Sequence, residues 1–204
     1  MHILFLTHNR ITDPLVAYLK SGNDRVTVTD KRLSPEGLRR VRPDFIISYN
    51  YRYLLTRDLL EQVPSRALNF HISLLPWNRG ADPNAWSFLE DTPKGVTIHA
   101  IDEGIDTGDI IVQTAVHFDE ARETLTSSYM RLNTEIQRLF LMHWEDIRNS
   151  VITPRPQDAG GSMHYTKDFE RIRYILGSEG WDIPILELKK RYRDITNADH
   201  THRT

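Results

Sequence analysis

From Ile3 to Val63 the chain alternates short apolar runs with short amphipathic ones, and this alternation restricts the fold more than any other feature. Ile3–Thr7 and Asp44–Tyr49 carry uninterrupted apolar cores (Phe45, Ile46 and Ile47 in the second), as expected of strands covered on both faces. Arg25–Asp30 sets Val26 and Val28 against Thr27 and Thr29, a third strand with period two. Between them Pro14–Lys20, the segment opened by Ser34-Pro35-Glu36 and ending near Arg42-Pro43, and Thr56–Val63 read as helices. Ser34 supplies an N-cap and Pro35 a first helical position that needs no N–H. Strand, helix, strand, helix in this order implies parallel strands joined by right-handed crossovers. The expected class is α/β, a doubly wound, Rossmann-like and mostly parallel sheet.

The run Leu68-Asn69-Phe70-His71-Ile72 begins as one more strand and passes into a polar loop, Ser73 to Gly80. Alternation along it sends Asn69 and His71 to one face and Leu68, Phe70 and Ile72 to the other. Asp82-Pro83-Asn84 repeats the N-cap and proline signal and opens a helix through Trp86, Phe88 and Leu89. Gly95–Asp102 and Asp109–Phe118 are strands separated by a connection too short for a crossover helix, so an antiparallel or sharply bent pair is expected. Leu125, Tyr129, Leu132, Ile136, Leu139, His143 and Ile147 recur at helical spacing and make Thr124–Asn149 one long amphipathic helix. We therefore expect a catalytic domain over 1–150. A helical appendage over 151–204 follows, with short helices at Tyr165–Leu176 and Pro184–Tyr192 and a frayed tail after Asn197.

Composition narrows the function classes. A net charge of −2 from 26 basic and 28 acidic residues supplies no field for a polyanion, which disfavours a nucleic-acid partner. The chain has no cysteine, which excludes disulfides, thiolate metal sites and cysteine nucleophiles. Met1–Leu6 runs straight into Thr7-His8-Asn9-Arg10 without a signal-peptide pattern, and no apolar stretch approaches a membrane span. No membrane partner and a cytoplasmic location are expected.

The first strand-to-helix turn, Thr7 to Asp13, contains no glycine, so it is neither a dinucleotide fingerprint nor a P-loop. A nucleotide there would be held by side chains such as His8 and Asn9 and by the helix N-terminus. His71, His99 and Asp102 or Asp106 could ligate a metal, but no metal-site spacing accompanies them and none is expected. Asp106 lies between Gly104 and Gly108 in a loop joining two strands. Loops at one edge of such a sheet converge, which lets an aspartate reach an imidazole on a neighbouring strand. A carboxylate bonded to His71 would fix its tautomer, and Asn69 would add an amide donor for a developing oxyanion. With the nucleophile brought by the substrate as an amine, this set suits acyl transfer.

Asn69-x-His71-x-Ser73-Leu74-Leu75-Pro76, followed by Asp102-Glu103-Gly104-Ile105-Asp106-Thr107-Gly108-Asp109-Ile110-Ile111, resembles the signature of the folate-dependent formyltransferases. The resemblance covers roughly 1–149. It implies Asn69, His71 and Asp106 as catalytic residues and 10-formyltetrahydrofolate as formyl donor. It also implies a pterin site formed by Tyr51, Arg52, Tyr53 and Leu54 and by the backbone of Ile101, Asp102, Glu103 and Gly104.

The branches of that family differ in acceptor. Methionyl-tRNA formyltransferases carry a basic C-terminal β-domain, unlike the segment after Asn149. Glycinamide ribonucleotide formyltransferases use a first loop rich in glycine and serine, unlike Thr7-His8-Asn9-Arg10. Leu75 to Asn84 is most similar to enzymes that formylate nucleotide-linked amino sugars, including pseudaminic-type dideoxy sugars. There Trp77 offers an apolar plate, and Asn78 and Arg79 offer bonds to hydroxyls or diphosphate. Trp86 is expected in the core. The alternatives are the glycinamide ribonucleotide enzyme and a formyltetrahydrofolate hydrolase. Apolar residues between Trp181 and Tyr192 offer a surface for a homodimer.

Overall fold

The structure, a computed structural model, describes residues 1–62 and 66–201. By its internal contacts the chain forms two compact units, each discontinuous in sequence. One comprises Met1–His71, Thr97–Gln113 and Ile136–Gln157, the other Ile72–Val96, Thr114–Glu135 and Asp158–Thr204.

Strand β1 (His2–Leu6) leads through a 3-10 turn, Arg10–Thr12, into helix α1 (Asp13–Ser21), followed by β2 (Arg25–Thr29). Helix α2 (Pro35–Val41) begins where expected: Ser34 is extended, its side chain accepts the Gly37 N–H, and Pro35 sits in the first turn. Arg42 closes it in the left-handed region at φ 49°. Strand β3 (Phe45–Tyr49), helix α3 (Arg57–Leu60) and strand β4 (Ala67–His71) complete the crossover series. Helix α3 is shorter than Thr56–Val63, and Val63 lies outside the described residues.

Strands β6 (Gly95–Ala100) and β7 (Ile110–Ala115) finish a six-stranded sheet in the order β2-β1-β3-β4-β6-β7. Pairings β2–β1, β1–β3 and β3–β4 are parallel, whereas β4 pairs with β6 antiparallel. The sheet is therefore mostly parallel, as read from the sequence. Ala100 N–H donates to Asp109 O, and Val116 N–H donates to Lys94 O, so β6 and β7 run antiparallel, one of the two arrangements expected of them.

In the first unit Leu4, Leu6, Ile46 and Ala67 share a buried cluster with Leu38, Leu55 and Leu59 on one face of the sheet. By alternation the other face carries Phe45 and Phe70, which meet Trp144 and Phe140 of helix α5 (Leu125–Arg148) at ring-centroid distances of 5.5 and 5.1 Å. Helix α5 falls where the apolar spacing put it.

The second unit holds strand β5 (Arg79–Gly80), helix α4 (Pro83–Leu89) and strand β8 (Met163–His164), with β5 and β8 paired in parallel. Gly80 has φ 86°, and a Cβ there would fall 2.2 Å from His164 O, so only glycine lets the strands approach this closely. Asp82 departs from the capping role expected of it. It is left-handed at φ 52° and makes no side-chain cap, and burial raises its carboxyl pKa.

The C-terminal segment is helical, but its elements differ from those expected. Helix α6 (Thr166–Ile172) gives way to 3-10 structure over Arg173–Asp182, interrupted where Gly177 and Gly180 adopt φ 58° and 57°. Helix α7 (Ile185–Thr201) then runs well past Tyr192 and through the position expected to fray. Ile185, Leu188, Tyr192 and Ile195 recur at intervals of three and four residues and pack with Trp86, Phe88, Leu125 and Phe169. Trp86 is 6 % exposed and belongs to this core, as expected. No helix among the described residues is long and apolar enough to cross a membrane.

Candidate active site

The antiparallel register of β4 and β6 sets Asn69 opposite His99 and His71 opposite Thr97. Cross-strand partners share a face, so Asn69, His71 and His99 project together on the side of the sheet that carries Ala67. Asn69 Nδ2 donates to Asp106 Oδ1 at 2.9 Å and lies 3.2 Å from His99 Nε2. Asp106 Oδ2 is 3.5 Å from His71 Nδ1, and Asp106 Oδ1 is 3.4 Å from His99 Nε2. The two imidazoles stand nearly perpendicular, their centroids 6.5 Å apart, and both are buried. The three residues read as catalytic from the sequence thus meet in one place. His99, weighed there only as a metal ligand, joins them.

Asn69 has two amide hydrogens; its nitrogen donates to the Asp106 carboxylate and lies beside His99 Nε2, which is a second acceptor when that ring carries its proton on Nδ1.

Asp106 is held from three directions. The Asp102 carboxylate accepts from Thr107 Oγ1 at 2.7 and 2.9 Å and from the Gly104 N–H at 3.1 Å, which closes the loop on itself. Gly108 has its backbone against Ala100, where a Cβ would fall 1.9 Å from the carbonyl oxygen. Gln157 Nε2 donates to the carbonyls of Asp106 and Gly108 at 2.7 and 2.9 Å. Asp106 itself is left-handed, at φ 53°, a conformation these bonds maintain. Gln157 was not legible in the sequence: it lies 51 residues beyond Asp106, with no motif around it.

The loop after β3 contains the residues assigned to the pterin. Tyr51, Tyr53 and His8 form an aromatic trio with centroid distances of 5.3 to 5.4 Å. The Tyr51 hydroxyl donates to Lys31 O at 2.7 Å and accepts from the Leu33 N–H at 3.1 Å, so its polar end anchors the loop after β2. Burial raises its pKa above the ordinary phenol value. Arg52 is exposed, and its N–H lies 3.4 Å from His8 Nδ1. Leu54 is 63 % exposed. Asn50 Nδ2, at the head of this loop, is buried without a hydrogen-bond partner, which fits a ligand that brings an acceptor. Ile101 turns its side chain into the Leu4 and Leu6 cluster, and its N–H donates to Ala67 O. Glu103 is exposed and pairs with Arg57 at 3.3 Å. In the first loop the Asn9 side chain caps the 3-10 turn by accepting the Ile11 N–H at 3.0 Å.

In the second unit Trp77 and Arg79 are half-buried. Asn78, expected to bond the acceptor, is fully buried and left-handed at φ 55°. Its Nδ2 donates to Thr92 Oγ1 at 2.7 Å, its Oδ1 accepts from Ser162 Oγ at 3.2 Å, and its N–H donates to the same hydroxyl. Asn78 therefore anchors the loop from within.

Comparison with known proteins gives a consistent set. A family profile described as formyl transferase matches residues 11–142. The crystal structure of the formyltransferase PseJ from Anoxybacillus kamchatkensis, in complex with UDP-4,6-dideoxy-4-formamido-L-AltNAc and tetrahydrofolate, is 48 % identical. It matches 92 % of this chain and 97 % of that one with a TM-score of 0.86. The dTDP-4-amino-4,6-dideoxyglucose formyltransferase of Mycobacterium tuberculosis (strain H37Rv) is 33 % identical over 66 % of this chain and 56 % of its own length. A methionyl-tRNA formyltransferase of Anaeromyxobacter sp. (strain K) is 39 % identical over 78 % of this chain and 50 % of its own. The chain spans about half the length of the curated relatives it matches.

Proposed function

The chain belongs to the formyl transferase family, and from that premise we propose that it moves a formyl group from 10-formyltetrahydrofolate to the amine of a nucleotide-linked amino sugar. The acceptor we favour is a UDP-linked 4-amino-4,6-dideoxy sugar. The observation behind this choice is the near full-length likeness to PseJ, whose complex contains a 4-formamido sugar nucleotide and tetrahydrofolate.

The donor supplies a formyl carbon activated by its bond to the folate nitrogen. Leu54, Tyr53 and Arg52, with the backbone of 101–104, would hold it, and the partnerless Asn50 Nδ2 would take one of its acceptor atoms. For the acceptor we propose His8 and Asn9 in the first unit and, as separate candidates in the second, Trp77 and Arg79. At the centre, His71 carries its Nδ1 toward the Asp106 carboxylate at 3.5 Å. That contact orients the ring so that Nε2 would face the reacting carbon. His71, oriented by Asp106, would take the proton that the amine sheds as it bonds to the formyl carbon, stabilise the oxyanion as an imidazolium, and give the proton to the folate nitrogen as its bond to that carbon breaks and tetrahydrofolate leaves. Burial of His71 keeps bulk water from competing with the amine.

The reaction belongs in the cytoplasm on this reading. Exposed Trp181 and Leu186, at 43 and 54 %, supply apolar surface for a homodimer. A panel of amino sugar nucleotides, incubated with 10-formyltetrahydrofolate and read by mass spectrometry, tests the proposal. A formamide product from a UDP-linked 4-amino sugar is expected, and release of free formate with every acceptor untouched would refute it.

A further inference from the structure

One buried titratable group takes no part in the chemistry so far. His99 is 2 % exposed and stands directly opposite Asn69. Its Nδ1 lies 2.7 Å from the Ala100 carbonyl oxygen. A carbonyl only accepts, so Nδ1 carries a proton. Its Nε2 lies 3.2 Å from Asn69 Nδ2, and an amide nitrogen only donates, so Nε2 presents a lone pair. The Asp106 oxygen is farther from Nε2, at 3.4 Å. These contacts describe a neutral ring protonated on Nδ1.

The same contacts fix the amide. Asn69 Nδ2 sits between two acceptors, His99 Nε2 and Asp106 Oδ1. Rotating the amide by half a turn would place its oxygen against both, replacing two hydrogen bonds with two repulsions. Its nitrogen is thus committed inward and its oxygen is the atom left over.

We propose that His99 is a positioning residue that acts through Asn69, fixing the amide so that its oxygen faces the reacting centre and accepts a hydrogen bond from the attacking amine. The identity of that amine rests on the formyl-transfer reading above. An acceptor at this point orients the amine lone pair toward the formyl carbon and stabilises the positive charge that grows on nitrogen as the bond forms.

Long-range proton–nitrogen correlation spectra of the wild-type protein, assigned by difference from His99→Phe, read the tautomer without any assay. A proton on Nδ1 and a bare Nε2 are expected. A ring protonated on Nε2, whether singly or doubly protonated, overturns the proposal. Kinetics with 10-formyltetrahydrofolate and a UDP-linked 4-amino sugar give the second reading. His99→Phe keeps a ring but removes the acceptor, and its kcat is expected to fall on the order of 100-fold with the KM for the folate unchanged. His99→Gln places an amide oxygen near the Nε2 position and is expected to recover part of that loss. Equal losses in the two variants overturn the acceptor role. A wild-type protein that shows the Nδ1 tautomer yet formylates no amine fails the functional reading alone, and supports the hold of His99 on Asn69.

Discussion

Asn69 on β4 and His99 on β6 are direct cross-strand partners, with the amide nitrogen of one 3.2 Å from Nε2 of the other. Strand register brings them together, and register in a sheet buried on its faces is hard to shift, because a slip of one residue sends every side chain to the opposite face. Asn69, His71 and His99 therefore rest on paired strands of fixed register, and Asp106 comes from a loop.

That dependence on Asp106 gives a first prediction. Asp106→Asn keeps the shape of the side chain but removes the charge beside His71 Nδ1. Formyl transfer should fall by about 10²- to 10⁴-fold in kcat, the range for losing a general acid or base, while the circular dichroism spectrum and melting temperature stay close to wild type. Wild-type turnover in this variant would remove Asp106 from the mechanism.

Gln157 should matter although it is distant in sequence. Gln157→Leu deletes the donors to the carbonyls of Asp106 and Gly108. Amide hydrogen exchange over 104–108 should accelerate, and kcat should drop by up to about 100-fold as Asp106 loses its placement. Unchanged exchange in that loop would mean that Asp102 and Gly108 suffice to hold it.

Leu54 tests the donor site. Burying a leucine against a ligand contributes about 1.5–3 kcal/mol, and each 1.4 kcal/mol is about tenfold in affinity. Leu54→Ala should therefore raise the KM for the folate roughly tenfold and leave kcat alone. Stability should not change, since the side chain is 63 % exposed. A KM equal to wild type would place the pterin elsewhere.

Asp82 allows a prediction in pH. Burial, outweighing the attraction of Arg173, raises its folded pKa above the ordinary carboxylate value of 3.8. The folded state then holds its proton more tightly than the unfolded state, so stability from this group is present in acid and is lost as pH rises through the raised value. Asp82→Asn removes that loss and also suits φ 52°. Its melting temperature should exceed wild type at pH 7, and the difference should shrink as pH falls toward 3.8. A constant difference across this range would assign the effect to something other than ionisation.

How far the sequence carried depends on the range of the interaction. Helix α2 was legible because Ser34 and Pro35 cap it locally, and α5 because its apolar period repeats over many turns. Asp82 misled, since its residue type favours both a cap and a left-handed turn, and the backbone took the turn. Helix α7 was read as too short: the polar residues after Tyr192 hid the continued spacing to Ile195. At the site Asn69, His71 and Asp106 were readable from motif and sheet geometry. His99 needed the register of an antiparallel pair, and Gln157 needed a contact across 51 residues. Asn78 looked available because a polar residue in a loop usually is, and only its bonds to Thr92 and Ser162 show that it is buried structure.

The most direct test of the central claim is the fate of the formyl group when 10-formyltetrahydrofolate, a UDP-linked 4-amino-4,6-dideoxy sugar and the purified protein are combined and both formamide and formate are followed. The account predicts one formamide formed per tetrahydrofolate released, no release without the sugar, and loss of both signals in His71→Ala. Tetrahydrofolate release at the same rate with and without the sugar, with formate as the only product, would contradict it.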